Sequence, residues 1–270
     1  MIIGLFHQGS GLGNQLHRYI ATRVRAQELG VNWRMIYNPN DSNKETGFKG
    51  KSFIKIDKDK IIDPTDTMIS GYQFWGEKKI EADGVDIRSY DPEFNFVKDD
   101  TIIEGEFQDE RYWEHHEKEL DEWLKVKPLG MPDDLCVIGF RGGEFATVPD
   151  LFLPKEYWQE GIDIMKKINP KMKFEVHTDD PKTAKKFFPK FKITHDMSVN
   201  WRSARYAKYA IIANSSFYIF PRWLKHQDLE SLGAHLDGDP DITIAPKYWA
   251  RHNTKIWALP SNYYKRFQYI

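Results

Sequence analysis

Cysteine is almost absent from this sequence of 270 residues, in which Cys136 is the single residue of its type. One cysteine excludes an internal disulfide and suits a reducing compartment. No apolar run approaches the roughly 18 residues that a membrane span needs, and the stretch MIIGLFHQGSG lacks a charged segment followed by a long apolar one. Together these absences predict a soluble, cytoplasmic protein.

A net charge is lacking as well, because 39 basic residues nearly balance 40 acidic ones and leave a formal charge of -1. Without a global basic field, nucleic acid is not an expected partner. Aromatic residues, in contrast, make up 14% of the chain. Such rings can stack on sugars, but most of them lie here on apolar faces, which favours a role in the core.

The first half of the sequence alternates strand and helix patterns. The apolar run MIIGLF is followed by glycines and then by the helical pattern LHRYIATRVRAQELG, which Gly30 ends. Further strands are predicted at FIKID and TIIEGEF, and one amphipathic helix at DERYWEHHEKELDEWLKV. The segment KPLGMPDD, residues 127 to 134, contains two prolines and a glycine and is the best linker candidate.

The second half repeats this alternation. LCVIGF is a continuous apolar run that suits a buried parallel strand. It is followed by the helix KEYWQEGIDIMKKI, the strand KFEVHT, the helices DPKTAKKFF and WRSARYAKYA, and the strand IIANSSFYIF. Alternation of this kind indicates βαβ units and a parallel sheet in each half. We therefore predict an α/β chain of two Rossmann-like domains that face a cleft, residues 1–130 and 131–270.

The loop GSGLGNQL lies between the first strand and the first helix. The backbone N–H groups of such a loop and the positive end of the helix dipole suit a phosphate. It is not a dinucleotide fingerprint, because Asn14 stands where GxGxxG needs its third glycine, and it lacks the lysine of a P-loop. Taken alone, the loop could also be a tight turn that joins strand to helix.

Two strand ends in the second half also suit a phosphate. In GFRGGEF, Arg141 is flanked by glycines that let a ligand approach, so its guanidinium can fork onto a phosphate; an exposed arginine in a turn is the alternative. In IIANSSFYIFPRWL, Ser215 and Ser216 offer hydroxyls, although they also suit a helix N-cap. Three such ends on two half-chains point to a nucleotide between domains.

These segments, together with VHTDDPKTAKKFFP and ITIAPKYWA, resemble in their order and spacing the inverting fucosyltransferases of the α-1,2, α-1,6 and protein-O types. The bacterial α-1,2 group, glycosyltransferase family 11, is the most similar, and the resemblance runs from about residue 4 to about residue 260. It implies a GT-B fold, with an acceptor-side N-terminal domain and a C-terminal domain that binds GDP-fucose. It also implies transfer of fucose to a glycan hydroxyl without a metal or another cofactor.

The resemblance further implies roles for individual residues. Arg141 matches the first arginine of the family's HxRRGDY-like motif, which grips the β-phosphate of the leaving GDP. The acceptor hydroxyl would lose its proton to a carboxylate. Asp150 is the first candidate, with a solvated turn residue beside Pro149 as the alternative, and Glu144 is the second candidate. The positions expected to contact the donor are Gly11, Gly13, Asn14, Gly139, Asp179, Asn200, Ser215, Ser216 and Phe217.

The sequence departs from the family pattern at several of these positions. Gly139 stands where the arginine motif begins with histidine, Gly142 stands at its second arginine, and Glu144 and Phe145 replace its Asp and Tyr. Asn200 stands where an aspartate reads guanine. Two alternatives therefore stay open: a related transferase that uses another nucleotide sugar, or a protein that binds nucleotides or glycans without turnover.

Two segments resemble metal motifs without meeting their requirements. DGDPD, residues 237 to 241, offers a DxD pair, but it lies among turn formers and lacks the glycine and glutamate of a calcium loop. HHEKE, residues 115 to 119, is not HExxH, because Leu120 replaces the second histidine. We expect its histidines on a solvated helix face and predict no metal site.

The acceptor is expected to contact loops of the first half. Residues 37 to 66 and 72 to 95 are the loop-rich segments there, and the second contains Tyr72, Phe74 and Trp75. Loops carry much of the binding specificity of proteins, because a rigid scaffold can position many different loops. These two segments are therefore predicted to select the acceptor.

Overall fold

The computed structural model describes residues 1–7, 9–37, 47–62, 71–78, 80–82, 85–87, 89–149, 151–231, 241–247, 257–258 and 264–270. The chain divides into two compact units. Unit 1 consists of Met1–Ala82 and Asp86–Lys125, and unit 2 of Val126–Ile270 with Asp83–Val85. The main division thus falls between Lys125 and Val126, whereas the sequence predicts it after residue 130.

Unit 1 is built around a five-stranded sheet in which every pair of neighbours is parallel. The order across the sheet is β3-β2-β1-β7-β4. These strands are β1 (Ile2–Phe6), β2 (Trp33–Tyr37), β3 (Ile61–Ile62), β4 (Gln73–Gly76) and β7 (Thr101–Glu104). Two further short strands, β5 (Ile80–Ala82) and β6 (Val85–Ile87), come between β4 and β7 along the chain.

Helix α1 (Leu12–Leu29) follows β1 and packs on it. Leu16, Ile20 and Val24 recur at intervals of four residues, so they share one face of the helix, and all three are fully buried. The helix ends at Gly30, whose φ of 66° lies in the left-handed region and whose N–H bonds to the last turn. The predicted helix and its end are confirmed.

Two predictions for unit 1 are wrong. FIKID forms turns instead of a strand, because the N–H groups of Phe53 and Ile54 both return to the Gly50 carbonyl. The single helix predicted after residue 108 is broken into the 3-10 turns Glu110–Tyr112 and Glu114–His116 and the short helix α2 (Glu117–Trp123). The break lies at Trp113, whose φ of -149° is not helical.

Unit 2 contains a six-stranded sheet, again with parallel neighbours throughout. Its order is β10-β9-β8-β11-β12-β14. The strands are β8 (Leu135–Phe140), β9 (Lys173–Thr178), β10 (Lys192–Thr194), β11 (Tyr209–Ile212), β12 (Ile242–Ala245) and β14 (Gln268–Tyr269), and β13 (Trp257–Ala258) precedes β14 along the chain. The helices are α3 (Lys155–Ile168), α4 (Pro181–Phe187), α5 (Met197–Tyr206) and α6 (Ile219–Ser231).

The predicted bounds of β8, α3 and β9 are confirmed in unit 2. Helix α5 begins four residues earlier than the predicted Trp201, because the Asp196 carboxylate caps the N–H of Val199 at 2.8 Å. The strand predicted over IIANSSFYIF is too long. It ends at Ile212, and α6 begins at Ile219 after a short 3-10 turn.

The predicted α/β class with a parallel sheet in each half is confirmed. An apolar core in unit 2 includes Phe140, Trp158 and Phe188 from β8, α3 and the end of α4. Among the helices that the structure describes, none has both the length and the apolar character required to cross a membrane.

Candidate functional site

Both parallel sheets reverse their direction of winding at an internal strand. In unit 1 the chain moves outward from β1 to β2 and β3 and then continues on the other side of β1, at β4 and β7. In unit 2 it moves from β8 to β9 and β10 and then continues at β11 and β12. Ligands of open parallel sheets bind beyond the carboxyl ends of the strands at such a switch point. The loops after β1, β7, β8 and β11 are therefore the candidate sites.

The glycine loop of unit 1 follows β1 and opens α1. Gly9 has a φ of 77°, a conformation that favours glycine, and Ser10 donates its N–H to the His7 carbonyl at 3.3 Å. Gly11 caps α1 without a side-chain bond, and a Cβ added there would meet no described atom within 4 Å. The loop thus offers an open helix N-terminus, which suits an anion. Gly13, in contrast, is buried in the first turn.

Arg18 connects the glycine loop to the loop after β7. Its side chain is 5% exposed and donates to Ser10 Oγ at 2.9 Å, to the Gly105 carbonyl at 2.8 Å and to Glu106 Oε1 at 2.7 Å. One helical turn earlier, Asn14 accepts a bond from Gln108 Nε2 at 3.2 Å. Asn14 therefore joins the two loops. The sequence reasoning missed Arg18, although its i,i+4 spacing from Asn14 placed both on one helix face.

A second pair that the sequence reasoning missed lies at the carboxyl ends of β1 and β7. His7 follows β1 directly, Glu104 ends β7, and His7 Nε2 is 2.8 Å from Glu104 Oε1. Both side chains are about one-third exposed. An imidazole held by a carboxylate at such a place can accept a proton from a substrate hydroxyl. No local signal pairs the two residues, because only the sheet order makes β1 and β7 neighbours.

Arg141 in unit 2 is held by two carboxylates. Its guanidinium is ion-paired through Nη1 with Asp179 and donates through Nη2 to Glu144 Oε1 at 2.8 Å. Asp179 also accepts the N–H of Gly142 at 2.9 Å, so it fixes the loop as well as the side chain. Within the described residues the Glu144 carboxylate bonds only to Arg141, and this side chain is 74% exposed. The structure thus brings together three of the predicted site residues, Arg141, Asp179 and Glu144.

Close packing explains two of the glycines that depart from the family pattern. A Cβ at Gly139 would lie 2.7 to 2.9 Å from the ring of Tyr218, whose hydroxyl donates to the His177 carbonyl at 3.0 Å. A Cβ at Gly142 would lie 2.7 Å from that of Asp180. A histidine at position 139 would therefore require Tyr218 to leave its place.

The loop after β11 carries the predicted hydroxyls. Ser215 is buried and precedes the 3-10 turn Ser216–Tyr218 without a side-chain cap, and Phe217 packs edge-on against Tyr218. Asn214, which the sequence reasoning missed, is 2% exposed and donates to the Leu151 carbonyl at 3.0 Å. Its Oδ1 has no hydrogen-bond partner within the described part of the chain. A buried acceptor of this kind at a switch point can be satisfied by a ligand donor.

Asn200 lies on α5 and is buried against the end of β9. Its Nδ2 donates to the Thr178 carbonyl at 3.2 Å. The neighbouring His177 is fully buried, and this burial lowers its pKa to about 4 even though Glu175 lies 3.4 Å from its ring. Asn200 thus has a contact inside unit 2, next to the strand that carries Asp179.

Several predicted residues lie outside the described part of the chain. These are Asp150, residues 237–240 of DGDPD, and residues 38–46 and 63–66 of the first predicted acceptor segment. Asp241, which ends DGDPD, is 3.1 Å from Lys225. In the second predicted acceptor segment, Phe74 is exposed, whereas Trp75 packs against Phe94 and Phe107. Only Phe74 of these rings is thus largely open to solvent.

No protein-family model matches the chain. No curated protein matches it either. Two similar solved structures are of the E. coli heptosyltransferase WaaC. The structure with ADP-2-deoxy-2-fluoro heptose is 12% identical to this chain, covers 98% of this chain and 96% of that chain, and has a TM-score of 0.42. The structure with ADP is 11% identical, covers 96% of this chain and 93% of that chain, and also has a TM-score of 0.42. A likeness at this level identifies no family.

Proposed function

We propose that the chain is an inverting glycosyltransferase that moves a sugar from a nucleotide sugar to a glycan hydroxyl without a metal in the reaction. The observation that carries the proposal is the position of Arg141 at the carboxyl end of β8, beside the switch point formed with β11. A guanidinium there, next to glycines and to the loop of Ser215 and Ser216, suits a diphosphate. Unit 2 would bind the donor, and unit 1 the acceptor.

Arg141 stabilises the leaving group in this proposal. As the bond between the anomeric carbon and the diphosphate oxygen breaks, negative charge develops on the diphosphate, and a guanidinium already in place lowers the barrier. Asp179 positions Arg141, because it holds both the side chain and the Gly142 amide. The exposed Glu144 is the partner that an incoming diphosphate would replace.

The acceptor hydroxyl must lose its proton as its oxygen bonds to the anomeric carbon. Asp150 and Glu144 are the candidates from the sequence; Glu144 is paired with Arg141. The His7–Glu104 pair is the third candidate and the one that lies in the unit proposed to bind the acceptor. The proton would pass to one of these three groups as the bond between the anomeric carbon and the diphosphate breaks on the opposite face of the sugar.

The donor proposed first is GDP-fucose, which would make the chain an α-1,2-fucosyltransferase-like enzyme. Its support is the resemblance of the arginine and serine segments, with Gly11, Gly13, Asn14, Gly139, Asp179 and Phe217 as further donor-side positions. Asn200 argues for a second candidate, another nucleotide sugar, because an amide presents only one acceptor where guanine offers two N–H donors. If this position reads guanine, Asn200→Asp should strengthen GDP binding.

A thermal-shift panel of GDP, UDP, ADP, CDP and dTDP on the purified chain tests the proposal. We expect one diphosphate to raise the melting temperature, Arg141→Ala to abolish that shift, and the exposed control Lys185→Ala to retain it. The matching nucleotide sugar should then be hydrolysed slowly without an acceptor. Binding without hydrolysis or transfer would favour the non-catalytic alternative, and binding of none of the five would contradict the proposal.

A further inference from the structure

Two adjacent histidines of unit 1 meet a carboxylate from α1. His115 and His116 lie in the 3-10 turn before α2, and Glu28 lies in the last turn of α1. Glu28 Oε1 is 2.9 Å from His115 Nε2 and 3.7 Å from His116 Nε2. The expected solvated helix face is therefore wrong for His116, which is 12% exposed, whereas His115 is 51% exposed.

We propose that this cluster binds a divalent transition-metal ion, with Zn²⁺ as the ion to test, through His115 Nε2, His116 Nε2 and Glu28 Oε1. One such atom from each residue can be chosen so that all three lie within 4.8 Å of one another. Zn–N and Zn–O bonds of about 2.0 to 2.1 Å place tetrahedral ligand atoms roughly 3.3 Å apart. The separations of 2.9 and 3.7 Å lie on either side of that value.

The surrounding residues orient these ligand atoms. Glu119 Oε1 is 3.8 Å from His116 Nδ1 and is itself held by Gln27 Nε2 at 2.9 Å. A carboxylate on the Nδ1 side favours the tautomer whose Nε2 lone pair faces the cluster, as in many zinc sites. The other oxygen of Glu28 accepts from Arg25 Nη1 at 2.8 Å, which leaves Oε1 directed at the imidazoles.

The chemistry of the ligands selects the class of ion. Imidazole nitrogens suit Zn²⁺, Cu²⁺ and Ni²⁺, whereas Mg²⁺ and Ca²⁺ prefer oxygen ligands throughout. Three protein ligands leave the fourth tetrahedral position for water. The bound ion would connect the end of α1 to the turn before α2 and would thereby stabilise unit 1.

This site is separate from the glycine loop and independent of the proposed function. Leu12 begins α1 beside that loop, and Glu28 lies sixteen residues further along the same helix. At 1.5 Å per residue, the two ends are about 24 Å apart. An ion at Glu28 therefore cannot contact a ligand bound at the start of the helix.

Isothermal titration of the EDTA-treated full chain with ZnCl₂, without nucleotide, tests the site. We expect one Zn²⁺ per chain and at least about tenfold weaker binding in His115→Ala, His116→Ala and Glu119→Gln. The double variant His115→Ala/His116→Ala should lose binding. Co²⁺ should give the visible absorption of a tetrahedral site in the wild-type chain and not in the double variant.

The matched control is His195→Ala, because His195 is an exposed histidine of unit 2 that should leave Zn²⁺ affinity unchanged. MgCl₂ should give no binding heat. A wild-type dissociation constant above about 1 mM would overturn the proposal. So would equal Zn²⁺ affinity in the wild-type chain and a double variant whose far-ultraviolet circular dichroism shows that it is folded.

Discussion

The Tyr218 ring occupies the space that a side chain at position 139 would need, because it lies 2.7 to 2.9 Å from the Cβ position of Gly139. Tyr218 is buried and anchored through its hydroxyl to the His177 carbonyl, so its ring cannot move outward without losing that bond. The end of β8 is therefore shaped by a side chain from the turn before α6. Any residue larger than glycine at position 139 would change the start of the Arg141 loop.

Gly139→Ala is expected to lower the free energy of unfolding by about 1 to 3 kcal/mol, since it overpacks a filled space. Chemical denaturation followed by circular dichroism measures the change. Gly130→Ala is the matched control, because a Cβ at Gly130 meets no described atom within 4 Å. Equal stability of the two variants would mean that Tyr218 yields easily.

Arg141→Lys is expected to lose nearly as much turnover as Arg141→Ala, because lysine cannot form two parallel bonds to a phosphate. The expected cost in each is about 3 kcal/mol of transition-state stabilisation, measured as kcat/KM for the donor. A lysine variant with near-normal kcat would contradict the role given to Arg141.

Glu144→Gln is expected to strengthen binding of the nucleoside diphosphate several-fold, because it removes a carboxylate that competes for the Arg141 guanidinium. Titration calorimetry with the diphosphate from the thermal-shift panel measures this. Unchanged turnover in the same variant would exclude Glu144 as the proton acceptor, whereas loss of turnover with unchanged binding would favour that role.

Arg18→Met is expected to cost about 2 to 3 kcal/mol of folding free energy, because Glu106, Ser10 and the Gly105 carbonyl all lose a bond to a buried guanidinium. Urea denaturation measures the loss. Arg34→Ala, an exposed arginine of β2, should change stability by no more than about 0.5 kcal/mol. Similar costs in both variants would show that the network contributes little.

Acid should destabilise unit 2 through His177. Its pKa of about 4 in the folded chain lies below the usual 6.5, so the unfolded chain binds the extra proton first as pH falls. The contribution of neutral His177 to the free energy of unfolding is therefore fully present above pH 6.5. It decreases towards pH 4 by about 1 kcal/mol per pH unit. Denaturation curves across this range should be flatter for His177→Gln; equal slopes would contradict the assignment to His177, whose charged neighbours are Glu175 and Lys192.

EDTA should separate stability from turnover. If the proposed reaction uses no metal, turnover of the donor persists in chelator, while the melting temperature of unit 1 falls as Zn²⁺ leaves Glu28 and the two histidines. Activity assays and thermal melts on the same sample measure both. Turnover lost in EDTA and restored by Mn²⁺ or Mg²⁺ would contradict the metal-free reaction.

Elements with a strong local signal could be predicted from the sequence. The unbroken apolar run of β8 and the regular apolar spacing of α3 define those elements without reference to the rest of the chain. FIKID gave a misleading signal, because Ile54 is buried within a turn and not on a strand. Burial alone does not distinguish these two cases.

The composition of the site was less predictable than the positions of its loops. The strand ends that carry the glycine loop and Arg141 were readable from short motifs, and Asp179 was expected near them. The contacts of Arg18 with Glu106 and of His7 with Glu104 depend on β7 lying beside β1, and only the sheet order determines that. A sequence pattern does not contain pairings between strands so far apart along the chain.

The position of β7 between β1 and β4 also determines when unit 1 can become complete during synthesis. Strands β1 and β2 can pair as soon as α1 has formed, but the central place beside β1 stays open until Thr101–Glu104 leave the ribosome. Contacts between residues distant in sequence form slowly, because a long loop must close first. Arg18 therefore meets Gly105 and Glu106, its partners in the loop after β7, only after most of unit 1 has been translated.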